Sequence, residues 1–330
     1  MALKTLDYTI TGVASGNLIQ LTVNEAYNTP ARSAVLNVSD TTLDLGDAIS
    51  ISIGFTGDVS SVFQGFVTHI SKSTPGYEIT ITCEDVLTKA LNYFIASDNP
   101  DNPLTYSNIT SQSYVESILA VAEITNFEAD VPLTFTWATD APAEVNLVSA
   151  WQAASEMASM LAWYIYADRN GKVWFIERPP YIKSGGETDD FQFDETAGTN
   201  VLSLSYRKST EETRNRVVVY GRQGIQATAS QARGDILYSA SYFKTAVVAH
   251  PLIQTQSQAQ TTADYNLDLY NRLTEVVQME VEGDPTLEIN QIIEVTGSTF
   301  TGIGTSDWFL YQLRHNFSPN GYTVNMTLTK

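Results

Sequence analysis

Residues 147–178, LVSAWQAASEMASMLAWYIYADRNGKVWFIER, decide the local fold because two different periodicities meet within them. In the first half, apolar residues recur every three or four positions from Leu147 to Leu161 without Gly or Pro, which predicts an amphipathic helix. In the second half, alternating aromatic and apolar residues flank Asn170-Gly171. An Asn-Gly pair between two such runs predicts a tight β-hairpin in which both central residues adopt positive φ. The stretch therefore predicts a helix that leads directly into a hairpin.

Sequence typical of β-strands lies on both sides of this unit. The N-terminal part contains strictly alternating runs such as Ile49–Phe55 and Tyr77–Cys83, with Gly and Pro between them. Short strands separated by such turns predict a small antiparallel barrel or sandwich. We expect Asp7–Val13 and Leu18–Asn24 to form its first pair of strands.

Three further segments have helical periodicity. Val86–Phe94 follows Glu84-Asp85, whose negative charges favour a helix N-terminus. Tyr114–Ala122 follows Ser113 and carries a Glu at the capping-box position, so Ser113 is the predicted N-cap. Gln256–Thr274 places Ala, Leu and Tyr on one face and predicts a long helix.

Two stretches have weaker patterns. Lys183–Asn200 is Gly-rich and acidic, which predicts an exposed loop. Asp130–Trp137 is predicted to be a strand, and Gly224–Ala249 to hold two more.

The C-terminal part returns to alternating sequence and resembles the N-terminal part. Ser73–Thr82 and Ser318–Thr327 both carry a Pro- and Gly-containing turn, a Gly-Tyr pair and an alternating run. An aromatic residue, Phe63 or Trp308, lies in the preceding run of each. We interpret the match as an internal repeat of two related β units. Three copies of such a chain around an axis would present six similar units.

Turn-rich stretches and changes of periodicity divide the chain into four predicted domains. A first β-barrel domain covers residues 1–94, and an α+β domain with helices and the Asn-Gly hairpin covers 95–199. Residues 200–222 and 276–330 form a second β-barrel domain, and a smaller domain with a long helix, 223–275, is inserted into it. The predicted fold class is therefore α+β and β-rich, with two related small antiparallel β-barrels, an α/β domain and an inserted domain.

The charge balance restricts the classes of partner. The chain has 37 acidic and 18 basic residues among 330, a formal net charge of −19. Such a surface repels nucleic acid, whose binding depends on Lys and Arg neutralising phosphates. Two interpretations stay open: the charge serves solubility alone, or it keeps nearby DNA from adhering.

The sequence gives no sign of secretion or of membrane insertion. No apolar run approaches the roughly 20 residues that a membrane-spanning helix needs. The N-terminus MALKTLDYTI lacks the layout of a signal peptide. We therefore expect a protein that is made and kept in a cytoplasm.

Residue types that often carry chemistry are scattered. The three histidines, His69, His250 and His315, lie in separate segments without an HExxH motif or a Cys cluster, which disfavours a zinc site. Cys83 is the single cysteine, so an internal disulfide is excluded, and its place at a strand end predicts a small buried hydrophobe rather than a nucleophile. We predict no catalytic, cofactor-binding or metal-binding residues, no cofactor and no enzymatic activity.

Six segments occur in an order that one known family shares: Gly46–Gly54, Phe63–Val67, Tyr77–Leu87, Trp151–Phe175, Asn215–Gly221 and Glu280–Leu287. The first three resemble the first domain of the baseplate or tail hub proteins of tailed bacteriophages. The fourth is similar to the second domain of those proteins, and the last two resemble their third and fourth domains. The resemblance covers nearly the whole chain.

This resemblance implies a structural virion protein. Hub proteins of this kind form a homotrimer whose two tail-tube-like barrel domains per chain build a pseudo-sixfold ring. The ring adapts a hexameric tail tube, or a distal tail protein, to a trimeric spike or tip protein. The tape measure protein is a further expected partner, and DNA passes through the lumen without tight binding. The expected location is the tail baseplate of a virion, assembled in the host cytoplasm.

A second hypothesis is a β-rich tail protein that binds or cleaves cell-wall glycans. The five Trp and 17 Tyr residues can supply platforms on which sugars stack. Trp174 and Tyr220 lie in predicted strands, where aromatic side chains more often belong to a core or an interface. The mass in solution separates the two hypotheses, because only the hub is expected to be a trimer.

Overall fold

The computed structural model describes residues 5–26, 29–74, 77–96, 104–129, 143–161, 163–176, 191–196, 200–231, 242–272, 274–298 and 300–330. Within these ranges the chain forms 22 β-strands and four α-helices, which confirms the β-rich α+β class. The strands are β1 (Leu6–Ile10), β2 (Leu18–Ala26), β3 (Ser33–Val38), β4 (Ala48–Phe55), β5 (Asp58–Ser73), β6 (Glu78–Glu84), β7 (Phe94–Ile95), β8 (Leu104–Tyr106), β9 (Phe127–Ala129), β10 (Ala143–Val145), β11 (Val148–Ser149), β12 (Tyr164–Ala167), β13 (Val173–Ile176), β14 (Phe191–Asp194), β15 (Val201–Lys208), β16 (Arg216–Tyr220), β17 (Gln226–Ser230), β18 (Thr245–Ala249), β19 (Glu275–Glu282), β20 (Ile292–Thr296), β21 (Thr305–Ser318) and β22 (Gly321–Thr329). The helices are α1 (Leu87–Asn92), α2 (Ser111–Val121), α3 (Ala150–Leu161) and α4 (Gln256–Arg272).

Strands from both ends of the chain share one large sheet. In the described residues this sheet has twelve strands, and its main path runs β1-β4-β5-β6-β3-β2-β21-β22-β19-β15. β20 pairs antiparallel with β21, and β14 lies parallel to β20. The antiparallel pair β2–β21 joins the N-terminal strands to the C-terminal ones. A single hydrophobic core packs against both groups.

Period-two alternation places one face of the sheet against that core. In β3, Ala34, Leu36 and Val38 have no measurable exposure, and the residues between them are half-buried. Ile81 and Cys83 of β6 continue the same buried face. Burying a Leu, Val or Ile side chain contributes about 1.5–3 kcal/mol. The alternation therefore selects the register, since a slip by one residue would expose the whole set.

The described residues between 147 and 176 fold in outline as predicted, except that the helix starts later: Leu147 has a positive φ of 58°, Val148–Ser149 form β11, and α3 begins at Ala150. α3 leads into the antiparallel pair β12–β13, and β9 adds a third strand parallel to β13. Trp163, between the helix and the hairpin, is 2% exposed, and its ring centroid lies 4.9 Å from that of Phe175. A core built from this stretch and from α2 lies apart from the core under the large sheet.

The hairpin turn differs from the prediction in its backbone. Gly171 has a φ of 75°, but Asn170 does not have a positive φ. The N–H of Gly171 donates to the carbonyl of Asp168, and the N–H of Asp168 donates to the carbonyl of Lys172. This is the geometry of a longer hairpin loop, in which an ordinary turn is followed by one left-handed residue. The Gly is therefore required, and Asn170 need not adopt the left-handed conformation.

β16, β17 and β18 form a separate sheet. β16 pairs antiparallel with β17 and parallel with β18, which confirms two strands within 224–249. Val217 and Val219 of β16 are buried with Ala259 and Ala263 of α4. The sequence predicts β16 in the second barrel, but its pairing places it in this smaller sheet.

Two predictions about strands were wrong. β1 does not pair with β2: it pairs with β4, while β2 pairs with β3 and β21. Adjacent alternating runs favour a hairpin in sequence, but burial of the core face selected more distant partners. Phe191–Asp194 is a strand rather than loop, because alternating Phe191 and Phe193 pack on the core. Residues 183–190 and 197–199 of the predicted loop and the predicted strand Asp130–Trp137 lie outside the described residues.

The helix predictions were correct in position and partly wrong at the caps. α1 and α4 lie within the predicted segments. α2 begins earlier than predicted: the Oγ1 of Thr110 accepts the N–H of Ser113 at 3.2 Å, so Thr110 is the N-cap. Both residues can cap a helix, and the extended backbone of Thr110 decides between them. None of the helices in the described part of the chain combines the length and apolar character that crossing a bilayer requires.

Candidate assembly interface

The large sheet contains the same arrangement of five antiparallel strands twice. The first unit consists of β2–β6 in the order β4-β5-β6-β3-β2, and the second unit consists of β15 and β19–β22 in the order β20-β21-β22-β19-β15. The first unit has only a short connection between β2 and β3. The second unit has the β16–β18 sheet and α4 between β15 and β19. The repeat predicted from the turn motifs is thus present in the strand order.

Irregularities of the backbone recur at matching places in the two units. A bulge interrupts the β2–β3 pair, and another interrupts the matching β15–β19 pair. The β5–β6 and β21–β22 pairs are also interrupted at matching places. Because a bulge marks one defined position in a ladder, these coincidences fix which residues correspond. The bulges lie between Leu18 and Gln20, Val201 and Ser203, Val67 and His69, and Leu310 and Gln312.

The turns that lead into β4 and β20 match as well. Gly46 and Asn290 both have positive φ, 83° and 77°. The N–H of Gly46 donates to the carbonyl of Val67, and the N–H of Asn290 donates to the carbonyl of Leu310. Val67 and Leu310 are themselves the residues just before the matching bulges. The two units therefore follow one structural plan.

Inside the chain, the units join edge to edge through β2 and β21. The ladder runs from Leu21 opposite Phe317 to Ala26 opposite Gln312. Leu21, Leu313 and Phe317 are at most 1% exposed. The junction is a continuous antiparallel ladder with a closed apolar side.

Arg32 lies at the centre of a buried ionic cluster beside this junction. Its guanidinium donates to Glu25, to Glu288 Oε1 at 3.0 Å and to the carbonyl of Ala167 at 3.3 Å. Its backbone N–H donates to Asp85 Oδ2 at 2.7 Å. Glu25 and Asp85 come from the first unit, Glu288 precedes β20, and Ala167 belongs to the hairpin. One side chain thus ties three parts of the chain together.

Arg169 of the hairpin turn holds the other side of Glu288. Its Nε donates to Glu288 Oε2 at 2.9 Å, and its backbone N–H donates to Oε1 at 2.9 Å. Its remaining guanidinium N–H groups donate to the carbonyls of Pro285 and Thr286. Arg169 therefore fixes the segment before β20 to the hairpin, and Arg32 joins the same Glu288 to the first unit.

The carboxyl groups of this cluster differ in their pKa values. Burial raises the pKa of Glu25 to about 7 and that of Asp85 to about 7. Burial also opposes ionisation of Glu288, but Arg32 and Arg169 outweigh it and hold the Glu288 pKa below its ordinary value. Glu288 is the carboxylate that both arginines bind, and Glu25 and Asp85 are the groups that take up protons first as the pH falls.

Glu25→Gln tests this assignment. Because Glu25 keeps a proton in the folded state between its ordinary pKa of 4.5 and about 7, the free energy of unfolding should fall as the pH rises through this window. One such proton gives a slope of at most about 1.4 kcal/mol per pH unit. We expect a smaller slope in Glu25→Gln, with Asp85 maintaining part of it, in urea unfolding at several pH values.

The matched control for this series is Glu128→Gln, which removes a half-exposed carboxylate that pairs with Lys172. Its slope should equal that of the wild type. His315, whose pKa burial and then the two arginines lower to about 3, contributes a fall in stability as the pH decreases. That contribution is common to all three proteins and cancels in the difference. Equal slopes in wild type and Glu25→Gln would contradict the assignment.

Two strand edges that match the junction strands lack a partner strand in the described residues. β15 matches β2, and it pairs only with β19. The C-terminal half of β5 matches that of β21, and among the described residues it pairs only with β6, since the β4–β5 ladder stops at Ala48 opposite Phe66. Leu204 of β15 and Ile70 of β5 are half-buried, whereas their counterparts Leu21 and Leu313 are buried. Inside the chain, one edge of each kind meets in the β2–β21 junction. Among the described residues, a second edge of each kind, on β15 and on β5, has no partner strand.

The face of the sheet turned away from the core is rich in neutral polar side chains. They alternate with the core residues along each strand, and they form a cavity of about 450 Å³ between β15, β19, β21 and β22. One acidic and one basic residue, Glu280 and Arg314, line that cavity. The acidic excess of the chain is therefore not concentrated there. Representative residues of this polar face are Thr80, Thr82, Ser203, Ser205, Asn325 and Thr327.

The residues considered for chemistry lie apart. His69 is exposed on β5, His250 is half-buried before α4, and His315 is buried with Nδ1 2.8 Å from the Tyr322 hydroxyl. Within the described ranges, no three His, Cys, Asp or Glu side chains come together as metal ligands. Burial raises the pKa of the Cys83 thiol to about 12, which disfavours the reactive thiolate.

Trp174 and Tyr220, the aromatic residues named as possible sugar platforms, do not line a cavity in the described part of the chain. Trp174 donates its indole N–H to Asp168 Oδ2 at 3.1 Å, and the Lys172 ammonium lies 4.4 Å from the ring centroid. One face of this ring is therefore covered. A cavity of about 730 Å³ lies between α3 and the inserted domain, and Glu144, Glu156 and Arg222 are in its wall. Neither Trp174 nor Tyr220 lines it.

Solved structures that superpose on this chain include phage tail proteins. The tail protein from Neisseria meningitidis MC58 superposes with a TM-score of 0.74 at 12% identity, over 99% of this chain and 97% of that one. The 43 kDa tail protein of prophage MuSo2 from Shewanella oneidensis superposes with a TM-score of 0.69 at 11% identity, over 98% and 97% of the two chains. The fold is that of phage tail proteins. The resemblance to tail and baseplate proteins predicted from the sequence is thereby confirmed at the level of the fold.

The fold also occurs outside phages. The E. coli protein c3393, a component of the type VI secretion system described as similar to the T4 bacteriophage tail proteins gp27 and gp5, has a TM-score of 0.57 at 13% identity, over 98% of this chain and 76% of that one. No family model matches the sequence, and no curated protein matches it either. The relationship to tail proteins therefore rests on the three-dimensional arrangement of the chain.

Proposed function

We propose that the protein is a structural, non-catalytic hub of a phage tail or baseplate, and that three copies form a ring. The duplication of the five-strand unit, with matching bulges and matching turns, carries the proposal. Each chain supplies two similar units, so three chains present six similar positions around one axis. Such a ring meets a hexameric tail tube or distal tail protein on one side and a trimeric spike or tip on the other.

The ring is built from two hub domains per chain. The first is 1–94, and the second is 200–222 with 276–330. β16 is the exception: because it pairs with β17 and β18, we assign it to the inserted domain, which otherwise covers 223–275. The domain 95–199 and the inserted domain lie beside the ring. In the virion, the ring is part of the tail baseplate, assembled in the host cytoplasm, and the tape measure protein is a further partner.

The polar face of the sheet lines the lumen in this proposal. Ser, Thr, Asn and Gln side chains lack the cations that bind phosphates, so DNA passes without adhering. This changes the sequence-based interpretation in which the acidic charge itself keeps DNA from adhering. In this proposal the scarcity of Lys and Arg on this face prevents adhesion.

The mass of the purified protein in solution tests the ring. Light scattering after size-exclusion chromatography is expected to give three times the 36.3 kDa chain mass, and electron microscopy is expected to show threefold rings with a central hole. A protein that stays monomeric at the highest soluble concentration would contradict the proposal. A monomer that clears peptidoglycan would support the glycan hypothesis instead.

A further inference from the structure

We propose that neighbouring copies join through β15 of one copy and the C-terminal half of β5 of the next, in the register of the internal β2–β21 ladder. The occupant of each exposed edge is therefore a second copy of this chain. The inference rests on the proposed ring and adds to it the strands and residues that close it.

The internal ladder is the template for the register. Leu21 and Leu204 are each the second residue after their bulge, and so β2 residues correspond to β15 residues one by one. The same counting matches β5 with β21. Thr22 lies opposite Asn316 inside the chain. Their counterparts are Ser205 and Ser73, so Ser205 of one copy faces Ser73 of the next.

Backbone hydrogen bonding on β15 suits this pairing. The N–H of Ser209, just after β15, donates to the carbonyl of Thr274 at 2.8 Å. Because hydrogen-bonded positions alternate along an antiparallel strand, Arg207 and Ser205 also bond towards β19. The backbone groups of Leu204 and Tyr206 point the other way. A row of outward N–H and C=O groups on an edge strand is a template for another strand.

Apolar exposure at these edges has a buried counterpart at the internal junction. Leu45 precedes the left-handed Gly46 and is 63% exposed, whereas Ile289 precedes the left-handed Asn290 and is 2% exposed. Ile289 and Glu25, near the end of β2, line the same small cavity. Leu45 of the next copy would occupy the matching place at the end of β15. The exposure of Leu45 in the single chain is thus explained by the missing neighbour.

The ionic cluster also has a counterpart, with its charges reversed. The N–H of Asp85 donates to the carbonyl of Arg32, and at the matching place the N–H of Lys330 donates to the carbonyl of Glu275. Arg32 therefore corresponds to Glu275, and Asp85 corresponds to Lys330. The residue-by-residue match of β2 with β15 pairs Glu25 with Lys208. A central cation with two acids in the first unit therefore becomes a central anion with two lysines in the second.

The reversed cluster is complementary to a neighbouring copy. Lys208 Nζ lies 2.7 Å from Glu275 Oε1. Burial opposes ionisation of Glu275, but Lys208 and, more weakly, Lys330 help to hold its pKa below the ordinary value. The internal cluster receives Glu288, the second residue before Asn290. The corresponding residue of the first unit is Asp44, the second before Gly46, and it is exposed. Asp44 of the next copy thus brings an acid close to Lys208 and Lys330.

Disulfide cross-linking tests the register directly. Ser205→Cys and Ser73→Cys are introduced in separate chains, which are mixed and oxidised mildly. Both positions are exposed and lie where antiparallel strands bring side chains close enough for a disulfide. We expect disulfide-linked dimers from the mixture and none from either variant alone. The double variant should give covalent trimers. Native Cys83 is buried and serves as the unreactive background.

The matched control replaces Ser71 instead of Ser73, which keeps the same face and shifts the pair by two residues. We expect several-fold less cross-linked dimer from Ser205→Cys with Ser71→Cys. If light scattering shows a trimer and the shifted pair cross-links as well as or better than the matched pair, the register is wrong while the ring stands. A disulfide within one chain would overturn the edge assignment. Absence of any trimer would overturn the proposed function itself.

Discussion

Replacement of Arg32 by Met is expected to lower the free energy of unfolding by about 3–5 kcal/mol, the range found when one partner of a buried ion pair is removed. The guanidinium is 4% exposed and binds Glu25 and Glu288. Its loss leaves these carboxyl groups, and Asp85, without the nearest cation in a buried site. Met fills a similar volume, so the change reports the charge rather than a cavity. Urea unfolding at neutral pH measures the difference.

Two further variants separate this effect from general surface electrostatics. Arg32→Lys should give an intermediate loss, because one ammonium cannot reach Glu25, Glu288 and the Ala167 carbonyl together. Lys89→Met removes an exposed pair with Glu123 whose charged atoms are 4.0 Å apart, and the expected loss is below about 1 kcal/mol. A loss in Arg32→Met no larger than that in Lys89→Met would show that the cluster does not hold the units together.

Lysine residues on the polar face are expected to convert a surface that ignores DNA into one that binds it. Thr80 and Asn325 occupy matching positions of β6 and β22, so Thr80→Lys with Asn325→Lys adds two cations per chain and six per proposed ring. With roughly six phosphate contacts, affinity falls about a thousand-fold between about 50 and about 200 mM salt. We expect the wild type to show no binding to a labelled DNA and the variant to show this salt dependence.

The control for the DNA experiment places the same charges elsewhere. Gln226 and Thr228 are exposed on β17 of the inserted domain. Lys at both positions adds the same charge per chain, but on a surface that does not face the axis of the proposed ring. We expect this variant to bind DNA much more weakly. Equal binding by both variants would mean that the polar face is not the wall of a lumen.

Local features of the fold could be predicted from the sequence where the signal is contained in a few neighbouring residues. α3 and the β12–β13 hairpin followed from periodicity around Trp163 and Gly171. The turn before Tyr322 and the one before Tyr77 revealed the repeat. The partner of β2 could not be predicted, because pairing with β21 joins residues nearly the full length of the chain apart. Adjacent runs in the sequence pointed to β1 instead.

The candidate interface was beyond the reach of sequence analysis for a related reason. An exposed edge is defined by which strands are absent beside it, and that depends on the whole sheet. The pattern LIQLTVNE of β2 and VLSLSYRK of β15 alternate alike, but the long insertion after Lys208 hides their equivalence. Arg32 and Glu288 likewise look like ordinary charged residues until the fold brings them to 3.0 Å.

The reversal of charge between Arg32 and Glu275 has a consequence for symmetry. A ring of six identical subunits offers six indistinguishable sites, and a threefold partner could settle on it in two orientations that differ by one step. In the proposed ring every second junction lies within one chain and has the cation Arg32 beside it. The other junctions lie between two chains and have the anion Glu275 beside them. Alternate positions are therefore chemically labelled, and a threefold partner that senses the label has one orientation in which to dock.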